Sequence, residues 1–158
     1  VEVAGSVRAA VEGADLVCTT TSSRQPVLEG AWLAPGVHIN AVGACTRETR
    51  ELDTQAVTGA RLYVDRRESA LNEAGDFLIA RDEGAIGDDH IVGELGDVLI
   101  GRAPGRRSST ERTLFKSLGI AVEDLAAAHH IWRKAETQDR GIAVEFGGKR
   151  EGAQGATG

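Results

Sequence analysis

Three short apolar runs, residues 15–20, 37–42 and 61–65, are separated by stretches of helical spacing, and this alternation restricts the fold more than any other feature of the chain. Strands joined through helical segments need right-handed crossovers, and crossovers make neighbouring strands parallel. The first run, Asp15-Leu16-Val17-Cys18-Thr19-Thr20, lacks polar alternation, which is the pattern of a strand covered on both faces. Pro35-Gly36 launches the second, and Arg61-Leu62-Tyr63-Val64-Asp65 is the third. The expected class is α/β, a parallel sheet flanked by helices.

The remaining segments fill in around that sheet. Residues 3–12 place Val3, Val7, Ala10 and Val11 on one helical face, with Gly13 as the C-terminal cap. A brief turn is expected around Gly30-Ala31-Trp32-Leu33, and a short helix over residues 53–58 is stopped by Gly59. Residues 68–78 read as one helix through Ala70, Leu71, Ala74, Phe77 and Leu78. Another runs to Ile100 through Ile91, Leu95, Val98 and Leu99, capped by Asp88 or Asp89. The polar stretch 101–112, with Arg102, Arg106, Arg107 and Arg112, reads as a solvated loop, and Leu114-Phe115 as a short extended piece. Residues 121–137 read as a helix with Val122, Leu125, Ala128 and Trp132 inward. The expected organisation is a domain over 1–137, a short terminal strand within 138–146 and a loose tail over 147–158, whose composition buries too little apolar area to offset ordering entropy.

Charge and composition exclude several function classes. A net charge of -6 does not suit a protein that coats nucleic acid, because phosphate binding needs a basic surface. No apolar run approaches the roughly 18 residues of a membrane span, and no secretory signal pattern opens the chain. Two cysteines are too few for a disulfide framework, so a cytoplasmic setting is expected. His129 and His130 are adjacent, His38 and His90 stand alone, and no Cys/His ligand spacing occurs, so no metal site is expected. The absence of methionine from all 158 residues leads to the expectation that the chain is part of a longer protein.

Three clusters carry candidate chemistry. Thr19-Thr20-Thr21-Ser22-Ser23 follows the first strand, on the edge where open parallel sheets hold ligands, though alone it reads as an ordinary strand exit. Asn40-Ala41-Val42-Gly43-Ala44-Cys45 ends the second; Gly43 would let a ligand approach the backbone, and Cys45, with no histidine near it in sequence, reads as a small space-filling side chain. Glu73-Ala74-Gly75-Asp76, with Glu94 behind it, offers carboxylates for acid–base work or for a cationic nitrogen, against simple solvation on a helix face. Neither Gly-x-Gly-x-x-Gly nor Gly-x-Ser-x-Gly is present.

Taken in order, several strings resemble the ornithine cyclodeaminase/mu-crystallin family. They are Gly13-Ala14-Asp15-Leu16-Val17, Pro26-Val27-Leu28-Glu29-Gly30-Ala31-Trp32-Leu33, Pro35-Gly36-Val37-His38-Ile39-Asn40-Ala41-Val42-Gly43-Ala44, Arg50-Glu51-Leu52-Asp53 and Tyr63-Val64-Asp65. Glu73-Ala74-Gly75-Asp76, Gly93-Glu94-Leu95-Gly96 and Phe115-Lys116-Ser117-Leu118-Gly119-Ile120-Ala121-Val122-Glu123-Asp124 complete the set. The resemblance implies a Rossmann-like domain that binds NAD or NADP, with NADPH favoured, and a homodimer acting on an imino acid or amino acid. It implies cofactor contacts at Thr21, Ser22, Val42 and Ser117, and a substrate-pocket acid, the candidate catalytic residue, at Glu73. The family's first strand, glycine loop and helix, and its substrate-binding basic residues, would precede Val1, so the sheet is expected to be incomplete, to expose an edge and to be inactive alone. The helix over 121–137 should likewise lack part of its packing surface. Cyclodeaminases and alanine dehydrogenases of the family carry an Asp where this chain has Cys45. The expectation is therefore an NAD(P)-dependent imine or cyclic ketimine reductase; the alternatives are ornithine cyclodeamination and a non-catalytic small-molecule carrier like mu-crystallin, which also binds thyroid hormone.

Overall fold

The computed structural model describes residues 1–144 and Gly147. Residues 1–120 form one compact unit and the chain from Ala121 another. In the first, strands β1 (Leu16–Thr19), β2 (His38–Ala41), β3 (Arg61–Val64), β4 (Ile91–Glu94) and β5 (Thr113–Lys116) form one sheet in the order β1-β2-β5-β3-β4. Every pairing is parallel, as the alternating pattern requires. The last described strand in sequence is therefore central in space: Leu114 pairs with Ile39 on one side and Leu62 on the other.

One face of the sheet carries the core. Val17, Ile39, Ala41, Leu62, Val64, Ile91 and Leu114 pack with Leu28, Leu52, Val57, Phe77 and Leu78. Helix α2 (Thr54–Thr58) forms as read, because Asp53 Oδ1 accepts from Ala56 N at 2.7 Å and Gly59 closes it. Helix α1 is shorter than expected, Val7–Val11, since Ser6 caps it by accepting from Ala9 N, and Val3 stays outside. Gly13 does end that segment, with φ +74°.

Four expectations are corrected. The first strand is not covered on both faces: Val17 and Thr19 are buried, whereas Cys18 is exposed and Leu16 is 58% exposed, because β1 is an edge strand packed on one side. The single helix over 68–78 breaks at Ala74 (φ −72°, ψ 90°) into α3 (Arg67–Glu73) and α4 (Gly75–Asp82). The helix expected over 88–100 is a 3-10 turn (Asp88–His90), then β4, then α5 (Leu95–Leu99); Ile91 pairs with Leu62, so the apparent helical spacing joined residues of separate elements. Arg106 and Arg112 are not merely solvated, because they donate to the carbonyls of Gly36, Ala34 and Leu33 and so fasten the polar stretch to the turn before β2.

The break at Ala74 has a local cause. A Cβ on Gly75 would collide with the carbonyl oxygens of Thr46 and Thr49, so the helix starts afresh where only glycine fits. Gly75→Ala is expected to destabilise the first unit by about 2–3 kcal/mol, read as a lower urea midpoint with an unchanged slope. A midpoint equal to that of the parent chain would show that this loop yields freely.

In the second unit, α6 spans Ala121–Thr137, as the periodicity predicts, but none of its residues is buried. Val122, Leu125, Ala128 and Trp132 are all exposed rather than inward. Their spacing is that of an apolar face, and such a face is buried only against a partner surface. Residues 138–144 contain no strand, and the last two residues of the expected terminal strand, with the tail apart from Gly147, lie outside the described residues.

Candidate functional site

Because all five strands run the same way, their carboxyl ends share one edge. Thr19, Ala41 and Lys116 end three adjacent strands there, and the segments that follow carry Thr21 and Ser22, Val42, and Ser117. The four candidate cofactor residues are thus brought to one side of the sheet. Thr21 and Ser22 are exposed, Val42 is 44% exposed, and Ser117 is half-buried.

Backbone bonds knit these segments together. Val42 N and Gly43 N both donate to Thr19 O, at 2.9 and 3.2 Å, and Ala44 N donates to Thr21 O at 3.1 Å. Ser117 N donates to Ala41 O at 3.0 Å, and Asp65 Oδ2 accepts from Leu118 N and Gly119 N at 2.7 and 2.6 Å. Gly43 was expected to make room for a ligand, but the structure fills that room with protein. A Cβ there would strike Thr21 O and lie 2.5 Å from Glu51 Oε1. Glycine is needed because the two loops and the Glu51 carboxylate meet at that point.

Sequence reasoning assigned no role to Glu51 and Lys116 beneath this edge, and it offered Asp76 only as a carboxylate for acid–base work or for a cationic nitrogen, whereas the structure buries it in a bonded network. Glu51 is 0% exposed: Oε2 accepts from Thr19 Oγ1 at 2.7 Å, and Oε1 from Thr21 N. Asp76, 1% exposed, accepts from Glu51 N and Leu52 N through Oδ1 at 2.7 and 2.9 Å. Lys116, also 1% exposed, donates to Gly43 O and lies 3.2 Å from Asp76 Oδ2, an oblique ion pair that leaves this oxygen without a hydrogen-bond partner among the described residues. Burial pushes the Asp76 carboxyl above its ordinary value, opposed first by the Lys116 charge and then by the two backbone donors. One signal was available: Lys116 stands two residues after Leu114, on the inward side of a strand, where a charge needs a partner.

Glu73 is the exposed last residue of α3. Arg47 Nη1 donates to Asn72 O at 3.3 Å, and Gly75 abuts Thr46 and Thr49, so Glu73 stands beside the loop that follows β2. Glu94 is already committed: Oε1 accepts from Arg67 N at 2.9 Å, and Oε2 faces Arg66 Nη1 at 3.6 Å. Asn40 lies on the other sheet face, with Oδ1 3.2 Å from His38 Nε2. A concavity of about 700 Å³ bordered by Gly59, Arg61 and Arg112 lies at the opposite, amino edge. Among the described residues no group of three or more His, Cys, Asp or Glu is arranged to hold a metal ion, and no helix is long and apolar enough to cross a membrane.

Cys45 is exposed and donates from Sγ to Val42 O at 3.3 Å. Serine can make the same bond, so Cys45→Ser is expected to leave turnover of the full-length protein within about twofold. A loss near a thousandfold, about 4 kcal/mol of transition-state stabilisation, would place the thiol in the chemistry.

Comparison with known proteins gives a consistent result. The family model described as ornithine cyclodeaminase/mu-crystallin matches residues 1–139. Ketimine reductase mu-crystallin of Mus musculus is 48% identical over 132 residues, which is 84% of this chain and 39% of that protein. Delta(1)-pyrroline-2-carboxylate reductase of Colwellia psychrerythraea is 42% identical over 128 residues, 81% of this chain and 40% of that one. The structure of Thermococcus litoralis Delta(1)-pyrroline-2-carboxylate reductase, in complex with NADH and L-proline, superposes with a TM-score of 0.81 at 42% identity, covering 88% of this chain and 43% of that one. The chain therefore spans about two-fifths of the length of these relatives.

Proposed function

Because the chain belongs to the ornithine cyclodeaminase/mu-crystallin family, we propose that it is the carboxyl-terminal part of an NAD(P)-dependent reductase acting on an imino acid or cyclic ketimine, working in the reducing cytoplasm as the homodimer usual for that family. The observation that carries the choice of reductase is Cys45. The family resemblance sets this thiol at the position where cyclodeaminases carry a carboxylate, and in the structure it donates to Val42 O. A thiol does not readily replace a carboxylate that must exchange a proton with an amine.

The residues at the carboxyl edge suit a nicotinamide cofactor. The exposed hydroxyls of Thr21 and Ser22 offer donors and acceptors, Val42 presents apolar surface, and Ser117 stands at the end of the neighbouring strand. These four residues would hold it. The cofactor would supply a hydride to the C=N carbon. The part assigned to Glu73, exposed beside the same loop, is to keep the imine nitrogen protonated.

The experiment is substrate-dependent oxidation of NADH and of NADPH by the full-length protein, with a cyclic ketimine and with ornithine compared. Ketimine-dependent oxidation supports the reductase. Activity with ornithine alone would favour cyclodeamination, and tight ligand binding without turnover would favour a carrier. The 158-residue chain contains no Gly-x-Gly-x-x-Gly segment to cradle a diphosphate, so by itself it is expected to bind NADPH weakly and to turn over nothing. Micromolar binding with turnover by this chain would show that its own loops suffice.

A further inference from the structure

We propose that Lys116 and Glu51 are positioning residues that lock the loops after β1 and β2 in the conformation that receives the nicotinamide cofactor. The inference rests on the function proposed above. Both side chains are buried, and each bonds the backbone of a loop that carries candidate contacts, Glu51 through Oε1 and Lys116 through Nζ. Glu51 accepts from Thr21 N and Thr19 Oγ1, which fixes the segment leading into Thr21 and Ser22. Lys116 donates to Gly43 O, which fixes the peptide immediately after Val42. Asp76 joins the two: it lies 3.2 Å from the Lys116 ammonium and accepts from the backbone N–H groups of Glu51 and Leu52.

The geometry of the loops shows what is being held. Ala44, a residue with a Cβ, sits at φ 53°, in the left-handed region that favours glycine. Its N–H points to Thr21 O while the carbonyl of Gly43 points down to Lys116. A peptide plane with its two ends bonded to different elements has one orientation, and Val42 takes its direction from that plane. A core stabilised only by apolar contacts would not need these three buried charged residues here. Replacing such groups with well-packed hydrophobic residues is often neutral or stabilising, so conformational definition is the better account of them.

The test uses two preparations. In the 158-residue chain, amide exchange at Thr21 should accelerate in Glu51→Ala and remain slow in Glu51→Gln. The amide of Gln can still accept from Thr21 N and donate to Thr19 Oγ1, so Gln preserves the geometry without the charge. In the full-length protein, Glu51→Ala and Lys116→Met should weaken NADH or NADPH binding by about tenfold or more, while kcat at saturating cofactor falls much less, and Glu51→Gln should restore affinity. A residue needed only for stability would lower the melting temperature without this split. If Lys116→Met fails to fold, Asp76→Asn keeps the acceptor for both backbone donors while removing the partner charge, and it should show the same loss of affinity. Cofactor affinity within about twofold of the parent in the folded variants, with Thr21 exchanging fast, would overturn the positioning role alone. A parent protein that binds neither nucleotide would overturn the proposed function and this inference together.

Discussion

Asp76→Ala is expected to cost the first unit about 3–5 kcal/mol, the range seen when one partner of a buried charge pair is removed. The substitution leaves the Lys116 ammonium without its counter-ion and orphans the N–H groups of Glu51 and Leu52, all of them buried. Asp76→Asn should cost less than alanine, because its side-chain oxygen still accepts from both donors, although the Lys116 ammonium loses its counter-ion in both variants. The wild-type pH dependence has a definite sign. The folded-state pKa of Asp76 is raised, mainly by burial, so its contribution is complete below the ordinary carboxylate range and is lost as pH climbs through the raised value. Urea titrations of the two variants and the parent at several pH values measure both effects. A cost below about 1 kcal/mol for alanine would mean that the surroundings collapse onto the gap or admit water.

Glu73→Gln should leave cofactor affinity unchanged and reduce kcat for imine reduction in the full-length protein by about a hundredfold or more, the usual worth of a positioned proton donor. The side chain is exposed at the end of α3, so the amide should leave the fold intact. Steady-state kinetics with a cyclic ketimine, alongside direct titration of the nucleotide, separate the two quantities. If kcat changes by less than about threefold, Glu73 lies at the rim of the substrate site and another group carries the proton.

The elements read correctly from sequence were those with their own punctuation. Asp53 and Gly59 bracket α2, and α6 has the limits its periodicity predicts, residues 121–137. Two strands were read poorly because their sequences are locally ambiguous. Ile91-Val92-Gly93-Glu94 runs directly into a helix, and Thr113-Leu114-Phe115-Lys116 gives no sign that it will lie between β2 and β3. The edge position of β1 is not written in its own residues, since pairing partners are not encoded there, and an exposed edge was expected only from the family resemblance. For the site, the strand ends were legible as positions, and the roles of Thr21, Ser22, Val42, Ser117 and Glu73 came from the family resemblance. The buried network was missed, although Asp76 had been singled out as a carboxylate, because Glu51, Asp76 and Lys116 look like ordinary surface residues until the sheet order brings together segments 25 and 40 positions apart.

The central place of β5 also sets the order in which this sheet can be made. Among the described strands of this chain, only Thr113 and the three residues after it join β1 with β2 to β3 with β4, which without them are separate two-stranded pairs. Two-stranded pairs are marginal in water, so neither half persists by itself. The contacts that join them span 52 residues or more in sequence, from Arg61 to Thr113 and from His38 to Thr113, and must be closed against the entropy of the intervening chain. Insertion of β5, the last described strand in sequence, between β2 and β3 also brings Lys116 to Gly43 and Asp76, so the pairing that joins the sheet is the one that assembles the charges beneath the candidate site.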